Sequence, residues 1–130
     1  YVRDFIANVN PLSVLTAWNV MRDRRDLEDA GGGWVWLDRR RTTRFRLDDN
    51  MLVTDAEQHG RPALWTSCDD IEAVPAEAPP VFWAKPSTPL KTEMHAMHQS
   101  HTAPVAIFDE QARFVGAIGV RDVLKAVLRR

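Results

Sequence analysis

The chain has 130 residues, of which 45% are hydrophobic, 27% charged and 8% aromatic, and its formal net charge is −1. This composition predicts one small soluble domain or two very small ones, and the near-zero charge argues against a dedicated nucleic-acid binder. The single cysteine, Cys68, rules out an intrachain disulfide framework and fits a reducing compartment, and no apolar run is long enough to span a membrane.

The first half of the chain combines short helical patterns with strand patterns. Apolar residues at helical spacing predict a helix over 2–9, and Thr16 is a suitable N-cap for a second short helix that ends at Met21. Three consecutive glycines, 31–33, predict a turn. The strand patterns that follow cover residues 34–37, 42–47 and 63–66.

Residues 73–80 contain almost only Ala, Pro and Glu, which predicts an extended connector between two halves. After it, the pattern predicts strand, helix, strand, strand, helix, with strands over 81–84, 104–108 and 114–118. An antiparallel strand pair covered by helices is an α+β arrangement.

The two helices of the second half have recognisable ends and apolar faces. Thr88 is predicted to be the N-cap of the first, with Pro89 at its first helical position and its end near Ser100. Its buried face is predicted to carry Leu90, Met94 and Met97. The last helix has an apolar stripe that runs from Val120 to Leu128.

Arginines are concentrated between Arg22 and Arg46, a segment called here the basic block. The block could face phosphates or an anionic lipid surface, or it could be a solvated face whose arginines pair with nearby aspartates. The residues predicted for an anionic contact are Arg39, Arg40, Arg41, Arg44 and Arg46.

Tryptophan and histidine offer two further candidate sites. The five tryptophans could form a box for a quaternary ammonium group, but three of them lie in strand patterns, which favours a role in the core or an interface. His95 and His98 share a helix face and His101 follows them, yet no carboxylate ligand is evident beyond Glu93. We therefore predict no metal site.

A similar pattern occurs at two strand-to-helix junctions, residues 63–69 and 114–122, each of which ends in an aspartate. A small residue at the strand end allows a phosphate or ribose to approach, and backbone amides at a helix start attract anions. Asp69 and Asp122 could then accept hydrogen bonds from ribose hydroxyls. They could equally cap their own helices, and the spacing leaves both interpretations open.

At these residues the chain resembles a tandem CBS-domain (cystathionine β-synthase domain, or Bateman) module. That family's pattern is Gly, two apolar residues, Thr or Ser, two variable residues and Asp. The first copy, residues 63–69, keeps Thr66 and Asp69 and has Ala in place of the Gly. The second copy, residues 116–122, keeps the Gly and the Asp but has Gly119 in place of the hydroxyl residue. The resemblance implies an α+β tandem CBS pair, with short sheets flanked by helices and a degenerate first copy.

The opening of the chain is similar to the segment after the nucleotide-binding domain in ATPase subunits of glycine betaine, proline or choline ABC importers. In that family a tandem CBS module forms the C-terminal end of the ATPase. The resemblance implies that residues 1–22 are a helix and linker from a missing ATPase domain, 23–72 a divergent first CBS copy, 73–80 the connector and 81–130 the second copy. This fragment would then not be an enzyme, and it would lie on the cytoplasmic side of the inner membrane within a transporter complex.

The function implied by the resemblance is regulation of ATP-driven uptake, by a homodimer formed through CBS helices together with the permease and the ATPase domain. No cofactor is firmly implied, but an adenine nucleotide, including a cyclic dinucleotide, is the regulatory ligand that the family suggests. Its contacts would be Thr66, Asp69, Pro104, Val105, Gly119, Arg121 and Asp122. Ionic strength, sensed by the basic block at an anionic membrane, is a second possible signal. A ligand-free dimerisation module is the alternative from another class.

Overall fold

Residues 15–73, 80–100 and 103–128 are described by the computed structural model, and they form two five-stranded sheets and three α-helices. The helix predicted over 2–9 and most of the predicted connector lie outside the described residues. In chain order the elements are α1 (Ala17–Val20), β1 (Arg22–Asp23), β2 (Asp29–Gly31), β3 (Trp34–Trp36), β4 (Thr43–Leu47), β5 (Val53–Gln58), β6 (Arg61–Pro62), β7 (Trp65–Ser67), β8 (Val81–Ala84), α2 (Leu90–Gln99), β9 (Val105–Phe108), β10 (Phe114–Ile118) and α3 (Val120–Leu128). Two 3₁₀ helices cover Arg24–Asp26 and Cys68–Ala73.

The first sheet is mixed and has the strand order β1-β10-β9-β8-β7. Strands β9 and β10 form an antiparallel hairpin, whereas β8 is parallel to both of its neighbours. The predicted order of strand, helix, strand, strand, helix is confirmed for the second half, and so is the α+β class. Strands β1 and β7 come from the first half of the chain and complete the sheet on its two edges.

The second sheet is an antiparallel meander of β2 to β6. The predicted turn at the three glycines is confirmed, since all three have a positive φ, and Gly32 and Gly33 connect β2 to β3. Strand β5 was not predicted because its sequence is polar. It is fixed by its pairing with β4, in which Phe45 lies opposite Ala56 and Arg44 lies opposite Glu57.

The core is divided between the two faces of the mixed sheet. On one face, Val105 and Ile107 of β9 pack against the helices together with Leu90 and Val123. On the other face, alternate residues such as Phe108 pack against the meander. All four residues of β9 are buried, because helices cover one face of the sheet and the meander covers the other.

Helix α1 begins as predicted, with Thr16 and Asn19 forming a capping box. The prediction for the start of α2 is wrong: its N-cap is Pro89, and the Thr88 hydroxyl instead accepts a hydrogen bond from the backbone N–H of Lys85 at 3.0 Å. None of the described helices is long and apolar enough to cross a membrane.

The buried face of α2 also differs from the prediction at one position. Leu90 and Met97 are buried as expected, but Met94 is 36% exposed and Glu93 is fully buried in its place. Both positions are compatible with a face that contains Leu90 and Met97, and apolar character alone favoured the methionine. Neither carboxylate oxygen of Glu93 has a hydrogen-bond partner among the described residues.

Candidate functional site

A cavity of about 640 Å³ lies where the start of α3, strand β1 and the β3–β4 turn meet. It is called here the Asp122 cavity. Four of the residues predicted to bind a nucleotide lie in its wall: Pro104, Gly119, Arg121 and Asp122. Two of the arginines predicted for an anionic contact, Arg39 and Arg40, lie in the same wall. The structure therefore brings together residues that the sequence assigned to two different sites.

The carboxylate of Asp122 is held at the first turn of α3. Gly119 precedes the helix, and its carbonyl oxygen accepts the hydrogen bond from the backbone N–H of Asp122, which makes Gly119 the N-cap. In return, Asp122 Oδ2 accepts a hydrogen bond from the Gly119 N–H at 2.7 Å. Helix capping therefore explains part of the role of Asp122, although the capping residue itself is the glycine.

Arg22 joins this helix start to the rest of the cavity. Its Nε donates to Asp122 Oδ2 at 3.1 Å, and its Nη2 donates to the carbonyl oxygen of Leu37 at 2.7 Å. Both charged side chains are largely buried, with 22% exposure for Arg22 and 12% for Asp122. Since Leu37 immediately precedes the β3–β4 turn, Arg22 connects strand β1, that turn and helix α3.

The β3–β4 turn is stabilised by its own aspartate. Asp38 Oδ1 accepts hydrogen bonds from the backbone N–H groups of Thr42 at 3.0 Å and Thr43 at 3.2 Å. Such local bonds from an aspartate to the following backbone are typical of tight turns. They fix the turn that carries Arg39 and Arg40, and with the Arg22–Leu37 bond they hold both arginines beside the cavity.

Cations predominate in the wall of the Asp122 cavity. Its charged residues are five cations and two carboxylates: Arg22, Arg39, Arg40, Arg121, Lys125, Asp38 and Asp122. Asp122 is paired with Arg22, and Asp38 accepts hydrogen bonds from its own turn. The other four cations have no ion-pair partner in residues 15–73, 80–100 and 103–128. A concave site with this surplus of positive charge is suited to an anion.

Four further arginines of the basic block are ion-paired outside the cavity. Arg41 pairs with Glu28, Arg46 Nη1 lies 3.7 Å from Asp55 Oδ2, and Arg44 Nη2 lies 2.7 Å from Glu57 Oε1. Arg25 pairs with Asp23, one of the nearby aspartates expected as partners of the block. The basic block therefore contains arginines with nearby acidic partners as well as arginines that face the cavity.

The tryptophans do not converge on one box. The guanidinium of Arg44 lies 4.2 Å from the ring centre of Trp34 and 5.5 Å from that of Trp36, so a cation of the chain already occupies these faces. Trp65 and Trp83 pack against phenylalanines of the core. Trp18 is 66% exposed.

The candidate residues of the first copy lie elsewhere. Thr66 is in β7, and Asp69 lines a separate cavity of about 500 Å³ with Lys91 and His95. Thr66 does not line that cavity, and the Asp69 backbone N–H donates to Ser67 Oγ at 3.1 Å. Val105 is fully buried in the core. The described residues contain no cluster of three His, Cys, Asp or Glu side chains that could hold a metal ion.

Solved structures of two other proteins share this architecture. The chain superposes on CBSX2, solved in complex with AMP, with a TM-score of 0.59 and 13% identity over 88% of this chain and 97% of that one. It superposes on the CBS domain of the bacterial CNNM/CorC family Mg²⁺ transporter, solved in complex with ATP, with a TM-score of 0.59 and 10% identity over 98% and 96% of the two chains. The protein has the CBS-domain fold. No family model matches the sequence, and no curated protein matches it.

Within the CBS fold, sequence reasoning missed three charged residues of the cavity: Arg22, Asp38 and Lys125. Lys125 had a local signal, because it follows Arg121 by four residues and so shares its helix face. Arg22 had none, because its partner Asp122 is 100 positions away in the chain.

Proposed function

We propose that the protein is a regulatory, non-catalytic CBS module that binds an adenine nucleotide in the Asp122 cavity. The observation that carries this proposal is the convergence of Pro104, Gly119 and Asp122 on one cationic cavity. Its volume of about 640 Å³ lies within the range of small-molecule sites. Two proteins of the same fold were solved with AMP and with ATP, which supports the choice of ligand.

Each residue of the cavity would have a distinct role. The carboxylate of Asp122 would accept hydrogen bonds from ribose hydroxyls and share its charge with Arg22. Gly119 lacks the hydroxyl that the family has at this position, so one contact to the ligand would be missing there, while Arg121 would neutralise phosphate charge. Pro104 would contact the base. Asp69, together with Lys91 and His95, would form a second, weaker position at the cavity of about 500 Å³, and Thr66 would not take part in it.

For the wider context, we propose that the module regulates the ATPase subunit of a glycine betaine, proline or choline importer at the cytoplasmic face of the membrane. The support is the resemblance of residues 1–21 to the segment after the nucleotide-binding domain in those ATPase subunits. The proposed division of the chain is a linker over 1–22, CBS copies over 23–72 and 81–130, and a connector over 73–80. One of the structural neighbours is also the CBS domain of a transporter, the bacterial CNNM/CorC family Mg²⁺ transporter.

A ligand-free dimerisation module is the second candidate function. Val120, Leu124 and Leu128 of α3 are 37%, 52% and 79% exposed and follow one another at four-residue spacing. They form an apolar ridge along one side of the helix. This ridge supports homodimerisation through CBS helices, with or without a nucleotide.

A thermal-shift screen separates the two candidates. We expect at least one of AMP, ADP, ATP, S-adenosylmethionine and cyclic di-AMP to stabilise the protein, by about 2.7 kcal/mol at a hundredfold excess over Kd. Asp122→Asn, which keeps the shape and removes the charge, should abolish the shift. Asp55→Asn is the matched control, because Asp55 is on the meander and pairs with Arg46. The ligand-induced shift is measured within each variant against its own apo form.

Two results would contradict the nucleotide proposal in different ways. If no nucleotide shifts the wild-type protein at low or at high salt, ligand-free dimerisation is the better account. If Asp122→Asn responds as strongly as Asp55→Asn, the nucleotide binds but not through Asp122.

Restoring the missing hydroxyl should strengthen nucleotide binding. A Cβ added at Gly119 would lie 3.5 Å from Asp122 Oδ2 and 4.0 Å from Arg22 Nη2, which are ordinary contacts. Gly119→Ser should therefore fold normally and tighten binding by roughly tenfold to a hundredfold, the value of one hydrogen bond to a charged group. Titration calorimetry measures the change. Gly119→Ala adds the Cβ without the hydroxyl. An equal gain in nucleotide affinity in that variant would show that the hydroxyl is not the cause.

A further inference from the structure

We propose that the Asp122 cavity selects nucleotides by the length of their phosphate chain, and that Arg39 and Arg40 of the β3–β4 turn make this selection. Diphosphates and triphosphates would bind in preference to the monophosphate. The inference rests on the proposed function, since it concerns the same cavity and names the class of ligand that the cavity takes.

The first argument is the contrast between arginines of one short segment. Arg44 and Arg46 have acidic partners on the meander, and Arg41 pairs with Glu28 immediately before it. Arg39 and Arg40 are exposed and have no ion-pair partner among the described residues, although they are adjacent to Arg41 in the chain. Arginines held beside a cavity without a carboxylate partner can accept an anionic ligand without first breaking an ion pair.

The second argument is that hydrogen bonds fix the backbone of the turn that carries these two arginines. The carbonyl of Leu37 accepts the 2.7 Å bond from Arg22, and Asp38 binds the backbone at the other end of the turn. The turn is thus anchored on both sides of Arg39 and Arg40. Because Arg22 also binds Asp122, the residue proposed to hold the ribose and the turn that carries the two arginines are joined through a single side chain.

The third argument is the distribution of cations over two elements. Arg121 and Lys125 lie on α3, whereas Arg39 and Arg40 lie on the turn. A single phosphate group offers only three oxygens, and each additional phosphate brings more oxygens and more negative charge. The oxygens of a diphosphate or triphosphate can therefore contact both pairs of cations at once. A monophosphate has fewer oxygens and less charge to divide between them. We infer that the affinity rises with each phosphate.

Titration calorimetry with AMP, ADP and ATP in magnesium-free buffer at low salt tests the inference. We expect the wild-type protein to bind ATP at least about tenfold more tightly than AMP, a difference typical of one charge-assisted hydrogen bond. In Arg39→Ala/Arg40→Ala the ATP affinity should approach that of AMP, while AMP binding remains. Added salt should reduce the preference of the wild-type protein, because it screens the exposed arginines.

The matched control is Arg61→Ala/Arg113→Ala, which removes two exposed arginines outside the cavity wall. It should keep the wild-type preference for ATP. Equal affinities for AMP and ATP in the wild-type protein would overturn the inference and leave the proposed function standing. The inference also fails if the control loses the preference as fully as the cavity variant, since net charge would then be the cause. If none of the three nucleotides binds, the proposed function fails and the inference fails with it.

Discussion

The wild-type protein is expected to lose about 3 kcal/mol of stability between pH 4 and pH 7 relative to Glu93→Gln, because of one buried carboxyl group. Glu93 is fully buried on α2, and burial raises its pKa to about 8 from an ordinary value of 4.5. The folded state therefore keeps this proton at neutral pH, whereas the unfolded state releases it. The stability that Glu93 contributes is fully present below pH 4.5 and is lost as the pH rises towards 8.

Urea denaturation of both proteins at several pH values between 4 and 8 measures this difference. In that window the free energy of unfolding of the wild-type protein should fall by about 1.4 kcal/mol per pH unit relative to Glu93→Gln. Glu93→Met, which replaces the carboxyl by an apolar group of similar length, should be more stable than the wild type at pH 7. Glu110→Gln is the control, since Glu110 is exposed and pairs with Lys85 on the surface. Parallel pH profiles for wild type and Glu93→Gln would show that Glu93 ionises normally.

Gly116→Ala is expected to lower the free energy of unfolding by about 3 kcal/mol, at the upper end of the cost of overpacking. Strand β1 pairs with β10 at Gly116, and Asp23 is the residue of β1 that lies opposite this glycine. An added Cβ would overlap the carbonyl oxygen of Arg22 and would lie 3.1 Å from Met21 Sδ. Since backbone atoms cannot rotate away as a side chain can, β1 must move as a unit.

Binding should be affected together with stability. Arg22 belongs to β1, so a displaced strand moves the partner of Asp122 and weakens nucleotide binding in molecules that remain folded. For stability, Gly119→Ala is the matched control, because it adds the same methyl group three residues later with only ordinary contacts. Urea denaturation compares the two variants, and calorimetry follows binding. Equal stability of both variants would mean that β1 accommodates the methyl group without strain.

The second half of the chain was predictable because its signals are local. Strands β8, β9 and β10 are short apolar runs between turns, and both faces of β9 are buried. Strand β5 has no such signal, since its charged residues pair with arginines of β4 and its buried Ala56 is inconspicuous in a polar sequence. The burial of Glu93 in place of Met94 was likewise not predictable from local signals. Tertiary packing buries the carboxyl group, whereas residue type favoured the methionine.

The candidate site shows the same limit at longer range. The bond from Gly119 to Asp122 spans three residues, and helix capping by Asp122 is one of the two interpretations that the sequence left open. The contacts from Arg22 to Asp122 and to Leu37 depend on the pairing of β1 with β10, which no periodicity reveals. Consequently, Arg39 and Arg40 were assigned to an anionic surface rather than to the cavity.

The pairing of β1 with β10 also bears on how the chain folds. It joins residues 22–23 to residues 116–117, so nearly the whole described chain forms a loop that must close before this contact exists. Contacts of such sequence separation slow folding, because the entropy of loop closure is lost before the contact stabilises anything. The Asp122 cavity needs both ends of that loop, and a folding intermediate that lacks β1 has no complete binding site. A bound nucleotide would therefore stabilise only the fully folded chain and would act chiefly on the rate of unfolding.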